Sequence, residues 1–174
     1  MQPHLEYLRE VSDITPAVNQ FEISPLNKHQ DLIDYCRSHG IAVQAMSTFS
    51  HYRSIEPRRE IFESPTLKEI ASHHNKSVVQ IVLRWMLQQD IIMIPKTWNS
   101  EYLKENISIF DFELSSDEMC RIDSMNKGRW LNYNPLGEQW WLPFHLRKWK
   151  GFDEWDNYVN RSALSKYMTK WLGI

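Results

Sequence analysis

The sequence predicts an α/β protein built on about three parallel strands with flanking helices. Three short apolar runs, at 17–23, 41–46 and 91–94, alternate with segments in which apolar residues recur at helical spacing. Strands that alternate with helices are joined by right-handed crossovers and therefore lie parallel in one sheet.

Composition restricts the class of protein. The 174 residues carry a formal net charge of -2, and 42% of them are hydrophobic, which excludes wholesale disorder and argues against a dedicated nucleic-acid binder. No apolar run approaches the ~20 residues that a membrane span needs, and the first residues do not resemble a signal peptide. We interpret Cys36 and Cys120 as reduced, buried thiols, which predicts a cytoplasmic protein. Together with the charge and the lack of a long apolar run, the sequence predicts neither nucleic acid nor membrane among its partners.

The first helix carries Leu5, Leu8 and Val11 on one face, and Pro16 ends it before the strand at 17–23. Ser24 followed by proline then predicts the start of a second helix.

Gly40 is expected to end the second helix in the left-handed conformation. The next strand, 41–46, has little charge, which is typical of a parallel strand buried on both faces. The segment from Thr48 to Arg59 is interpreted as an irregular basic loop.

Serine and asparagine mark the starts of the later helices. Ser64 precedes a proline, Ser77 begins a capping box, Asn99 caps the helix after the strand at 91–94, and Ser115 begins a second capping box. We therefore place the α/β domain at residues 1–127.

Residues 128–174 are predicted to form a tryptophan-rich extension that ends in an amphipathic helix. Six of the eight tryptophans lie there. Two interpretations remain open, because these rings either fill a core or form the wall of a ligand site.

Candidate chemistry lies where the strands end, since ligands of parallel α/β proteins bind at the carboxyl edge of the sheet. Gln20 either holds a flat ligand that bears an amide or bonds to a neighbouring strand. Lys96 and Thr97 supply a cation, a hydroxyl and backbone amides beside a helix start, which suits a phosphate, although a solvated lysine is the alternative.

Other kinds of site are not expected. His73 and His74 are adjacent on a helix and are not expected to face one ion, and the sequence contains no H-E-x-x-H and no G-x-S-x-G. We predict no metal site.

Taken together, the segments resemble the carboxyl-terminal half of an aldo-keto reductase. The resemblance covers residues ~5 to 127 in matching order and spacing. The segments that carry it are 16–22, 33–36, 40–41, 64–67, 77–85, 94–97, 105–106 and 110–115. It implies a partial TIM (β/α)8 barrel containing the sixth to eighth strands, and an NADPH-dependent oxidoreductase that converts carbonyls to alcohols.

The resemblance also implies roles for the strand ends that bind the cofactor. Gln20 matches the glutamine that bonds the nicotinamide carboxamide, and Met46 stands where the family usually stacks a tyrosine on that ring. Ser47 and Phe49 fall in the loop that covers the pyrophosphate.

The residues that the resemblance assigns to the adenosine end of the cofactor lie further along the chain. Lys96 and Thr97 match the pair that holds the 2′-phosphate, while Tyr102 stands where the family usually has an arginine. Glu105 and Asn106 match the adenine contacts.

The family's catalytic tyrosine, lysine, histidine and aspartate come from the first half of the barrel, so no catalytic residue is assigned here. The resemblance therefore implies an incomplete reductase, inactive alone, that needs an N-terminal half before it acts on an aldehyde or ketone. Trp130, Trp140 and Trp141 would then line the substrate pocket. The alternative is a non-catalytic half-barrel that binds a nucleotide or a partner, and open sheet edges would favour self-association.

Overall fold

A computed structural model of the chain describes residues 2–49 and 55–128, except for the side chains of 55–57. Its elements, in chain order, are α1 (Gln2–Val11), β1 (Val18–Glu22), α2 (Gln30–Ser38), β2 (Ala42–Met46), α3 (Ile55–Glu63), α4 (Pro65–His74), α5 (Val78–Leu87), β3 (Ile91–Met93), α6 (Ser100–Ile107) and α7 (Ser116–Asp123).

The described strands form one parallel sheet in the order β1-β2-β3, as the sequence predicts. Gln20 pairs with Gln44, and Gln44 pairs in turn with Ile92. The carboxyl ends of the three strands therefore meet at one edge of the sheet. This arrangement is the α/β fold of a partial barrel.

The two faces of this sheet differ in burial. Phe21, Val43 and Ile91 pack among the core residues, whereas Val18 and Ile92, on the opposite face, are 46% and 43% exposed. Side chains alternate between the two faces of a strand, and helices cover only one face within the described residues. The expectation that 41–46 is buried on both faces is therefore wrong.

Most predicted helix boundaries are confirmed by their capping bonds. Ser64 accepts a hydrogen bond from the backbone amide of Leu67, and both predicted capping boxes are present, at Ser77 and at Ser115. Gly40 has a φ of 68° after α2. Each of these signals lies within a few residues of the element it bounds.

Two predictions about local structure are wrong. Ser24 does not begin a helix, because its hydroxyl accepts from the amide of Leu26 and caps a tight turn that a bridge to Asn27 closes. The segment after Thr48 is not a loop throughout, because α3 begins at Ile55 and buries Ile61 completely.

The two cysteines occupy different environments. Cys36 is buried as expected, but Cys120 lies on the exposed side of α7. The interpretation of Cys120 as a buried thiol is wrong because the apolar side of this helix turns Ile122 into the core instead.

Some predictions concern residues beyond those just described. Trp130, Trp140, Trp141 and the terminal helix of the predicted extension lie outside the described residues, and the boundary at 127 stays a prediction. Within 2–49 and 55–128, no helix combines the length and the apolar character that a membrane crossing requires.

Candidate functional site

A cavity of about 830 Å³ opens beside the carboxyl end of β3. It brings together six of the residues singled out in the sequence: Phe49, Lys96, Thr97, Tyr102, Glu105 and Asn106. One wall comes from the loop between β3 and α6 and from α6 itself, and Phe49 enters from the loop after β2. The structure thus places the five adenosine-side candidates, together with Phe49 of the expected pyrophosphate loop, around one space.

A smaller cavity of about 230 Å³ adjoins it. Phe49, Pro95 and Lys96 line both cavities, and Ser47 lines the smaller one. Ser47 has a φ of 54°, a left-handed conformation that residues with a β-carbon rarely adopt. Such strain often marks ligand-binding loops, and here it follows directly after β2.

Gln20 and Met46 are not among the residues that line these two cavities. By the alternation of β1 and β2 they occupy the open face of the sheet. Gln20 Nε2 donates to Gln44 Oε1 at 2.7 Å. This bond to the neighbouring strand matches one of the two interpretations left open for Gln20.

Lys96 and Thr97 sit at the N-terminus of α6. Thr97 Oγ1 accepts a hydrogen bond from the amide of Asn99 at 3.1 Å, so its own hydroxyl proton can still be donated. The ammonium of Lys96 lies 4.6 Å from the ring centroid of Trp98 and forms no ion pair with another described residue. A cation and a hydroxyl therefore lie just before the start of a helix, a combination that favours an anion.

Arg58, Phe62 and Trp98 are among the lining residues of the larger cavity that sequence reasoning missed. Arg58 and Phe62 lie one helical turn apart on α3, with the guanidinium 5.6 Å from the ring centroid. Their i, i+4 spacing was the available signal, and it was lost because the segment was interpreted as a loop.

The histidine pair differs from its prediction. His73 Nδ1 and His74 Nε2 lie 3.0 and 2.9 Å from the same oxygen, Oε1 of Glu118. Adjacent helical residues can therefore face one point, because α7 brings its carboxylate between the two rings. The three side chains are of metal-ligating types, and their ligand atoms lie within 4.8 Å of one another.

Hydrogen bonds already satisfy this carboxylate. Its second oxygen accepts from the backbone amide and the hydroxyl of Ser115, at 2.8 and 3.0 Å. Burial raises the pKa of Glu118, but the bonds from Ser115, His73 and His74 outweigh burial and lower the pKa to about 2. The trio joins α4 to α7 through a carboxylate that stays ionised.

Known proteins match the described part of the chain. A family model described as "Aldo/keto reductase family" matches residues 3–127. An uncharacterized oxidoreductase, YtbE, and a glyoxal reductase, both of Bacillus subtilis, are 41% and 39% identical over 132 residues, which are 76% of this chain and 45% of each relative. The chain thus spans less than half the length of these curated relatives.

Solved structures match to the same extent. An aldo-keto reductase from a deep-sea metagenome library, MGS-M4, has a TM-score of 0.71 at 31% identity, covering 76% of this chain and 47% of that one. The aldo-keto reductase AKR2E4 of Bombyx mori, solved with NADP, has a TM-score of 0.66 at 32% identity, covering 75% of this chain and 44% of that one. Since the family model covers more than half of its residues, the chain belongs to the aldo/keto reductase family.

Proposed function

We propose that this chain binds NADPH along the carboxyl edge of its sheet and contributes that site to the reduction of small aldehydes or ketones. The observation that carries the proposal is the cavity of about 830 Å³, which gathers Lys96, Thr97, Tyr102, Glu105 and Asn106. Solved relatives in complex with NADPH and with NADP support the choice of cofactor.

The donor set fits the adenosine end of this cofactor. A 2′-phosphate needs positive charge and hydrogen-bond donors, which Lys96, Thr97 and the first amides of α6 supply. Tyr102 is 58% exposed and offers an aromatic surface for adenine. Glu105 and Asn106 add an acceptor and a donor for the polar edge of the base.

The nicotinamide end would extend over the open face of the sheet. Gln20 would exchange its bond to Gln44 for one to the carboxamide, and Met46 would pack against the ring as an apolar surface. Ser47 and Phe49 line the smaller cavity and would cover the pyrophosphate between the two ends.

Bound NADPH supplies the hydride, while the residues of this chain bind and orient it. We assign the proton donor to none of them, so the 174 residues alone are expected to bind NADPH without reducing a carbonyl. Carbonyl-dependent NADPH oxidation by the purified chain would contradict this part of the proposal.

The cofactor assignment is tested at Lys96. Lys96→Met should abolish the preference for NADPH over NADH, measured by quenching of tryptophan fluorescence, because the 2′-phosphate loses its cation. Lys68→Met, a change at an exposed position of α4, is the matched control and should keep the preference. An unchanged ratio of the NADPH and NADH affinities in Lys96→Met would contradict the assigned site.

A second candidate function is that of a partner-binding half-barrel. The open sheet face favours it, since Val18 and Ile92 are 46% and 43% exposed there. Such a surface associates with a complementary polypeptide or with a second copy of the chain. The association experiment described in the Discussion tests this candidate.

A further inference from the structure

We propose that Arg58 is the second cation of the adenosine-phosphate site and a determinant of selectivity for a 2′-phosphorylated nucleotide. The proposal rests on the function proposed above and assigns a role to a residue that neither the sequence motifs nor the resemblance indicates.

Arg58 and Lys96 line the same cavity from different elements. Arg58 belongs to α3, whereas Lys96 follows β3. They are the two cations among the described residues that line it, and Glu105 is the acid. The positive charge of this cavity thus comes from two separate elements of the fold.

Each of the two cations lies over the face of an aromatic ring. The guanidinium of Arg58 lies 5.6 Å from the ring centroid of Phe62, and the ammonium of Lys96 lies 4.6 Å from that of Trp98. Phe62 in turn packs against Phe49, with 5.8 Å between centroids. A cation over a ring face is positioned by the ring but keeps its N–H groups for an anion.

Ion pairing distinguishes Arg58 from its neighbour. Arg59 Nε lies 3.5 Å from a carboxylate oxygen of Glu63, but Arg58 forms no ion pair with any residue that the structure describes. The guanidinium of Arg58 therefore does not have to leave a carboxylate before it contacts a ligand. Arg59 provides a control of equal charge one position away.

The charge of the ligand explains why a second cation is useful. A phosphate monoester carries about −1.5 to −2 charges near neutral pH. Lys96 supplies one positive charge, and Thr97, Tyr102 and Asn106 are neutral. A guanidinium adds a second charge and a planar pair of donors that suits phosphate oxygens.

The test compares 2′,5′-ADP with 5′-AMP, which differ only in the 2′-phosphate, by isothermal titration calorimetry on the full chain. The unaltered chain should bind 2′,5′-ADP more tightly. Arg58→Ala should weaken 2′,5′-ADP binding by about tenfold, as expected when one charge-assisted contact is lost, with little change for 5′-AMP. Arg58→Lys should restore part of the loss, and Arg59→Ala should resemble the unaltered chain.

The outcomes separate the two proposals. If the unaltered chain does not prefer 2′,5′-ADP, the NADPH function fails. If it does and Arg58→Ala keeps the full preference, the role of Arg58 alone is overturned. An equal loss in Arg59→Ala would also overturn it, because the effect would then come from general charge. Urea unfolding of each variant verifies that exposed Arg58 can be replaced without loss of the fold.

Discussion

Glu118 carries two roles in one side chain. The sequence places it at the third position of a helix start, where its carboxylate closes a capping box with Ser115. The structure adds His73 and His74 from α4 on its other oxygen. The residue that closes the cap of α7 therefore also links α7 to α4.

We expect Glu118→Gln to lower the free energy of unfolding by about 2 kcal/mol at pH 7, because the amide cannot replace a carboxylate that accepts several hydrogen bonds. The pKa of Glu118 is lowered from 4.5 to about 2 in the folded chain. Its contribution is therefore complete above pH 4.5 and is lost as the pH falls toward 2. Urea unfolding followed between pH 7 and pH 2.5 measures this loss.

The exposed Glu113, in the segment before α7, is the matched control for this measurement. In Glu113→Gln, the free energy of unfolding should still fall as the pH is lowered from 7 to 2.5. In Glu118→Gln, this fall should be much smaller. An equally steep fall of the free energy of unfolding in both variants would show that the Glu118 carboxylate does not stabilise the contact between α4 and α7.

At the scale of elements, Asp123 anchors α7 to two other parts of the fold. One carboxylate oxygen accepts from the buried indole N–H of Trp85 in α5 at 2.9 Å, and the other pairs with the ammonium of Lys28 at 2.6 Å. The side chain of Lys28 is only 12% exposed. α7 is thus fixed by charge as well as by apolar packing.

Removing this carboxylate should loosen α7. Asp123→Ala is expected to destabilise the chain by about 2–3 kcal/mol, because it leaves a buried indole N–H and a mostly buried ammonium without their partner. Asp123→Asn should cost less because an oxygen remains for the indole. Thermal unfolding measures both, and Asp117→Ala, at an exposed position of the same helix, should cost at most ~0.5 kcal/mol. Equal losses for Asp123→Ala and Asp117→Ala would contradict the anchoring role.

On the scale of the whole molecule, exposed apolar side chains of the described residues include several on the open sheet face, on α1 and on α6. Leu8 and Val11 of α1 are 43% and 60% exposed, and Leu103 and Ile107 of α6 are 62% and 68% exposed. β1 and β3 each pair with only one neighbour among the described strands. Unpaired strand edges beside apolar surface favour association.

We expect the purified chain to self-associate at micromolar concentrations, as measured by sedimentation velocity. Val18→Glu combined with Ile92→Glu should shift the population toward monomer, because both charges lie on the open face. Ile14→Glu is the control, since Ile14 is 81% exposed between α1 and β1 and lies outside the sheet. A chain that is monomeric and melts cooperatively would refute the expectation.

The sequence was sufficient for most features whose deciding contacts are local, although the turn at Ser24 was misread as a helix start. Ser77, Asn99 and Ser115 mark helix starts because each side chain bonds an amide two or three residues ahead. Lys96 and Thr97 were chosen as candidates on the same kind of local signal, and the structure places both at the lining of one cavity. The alternation of strands and helices likewise fixed the parallel order.

Contacts between distant segments were decided only by the tertiary structure. It brought Arg58 and Lys96 to the lining of one cavity and bonded Gln20 to Gln44. It also brought two adjacent histidines to Glu118 and left one face of the described sheet exposed. A local pattern specifies which residues share a strand or a helix face. It does not specify which other element packs against that face, because packing depends on shape and charge far along the chain.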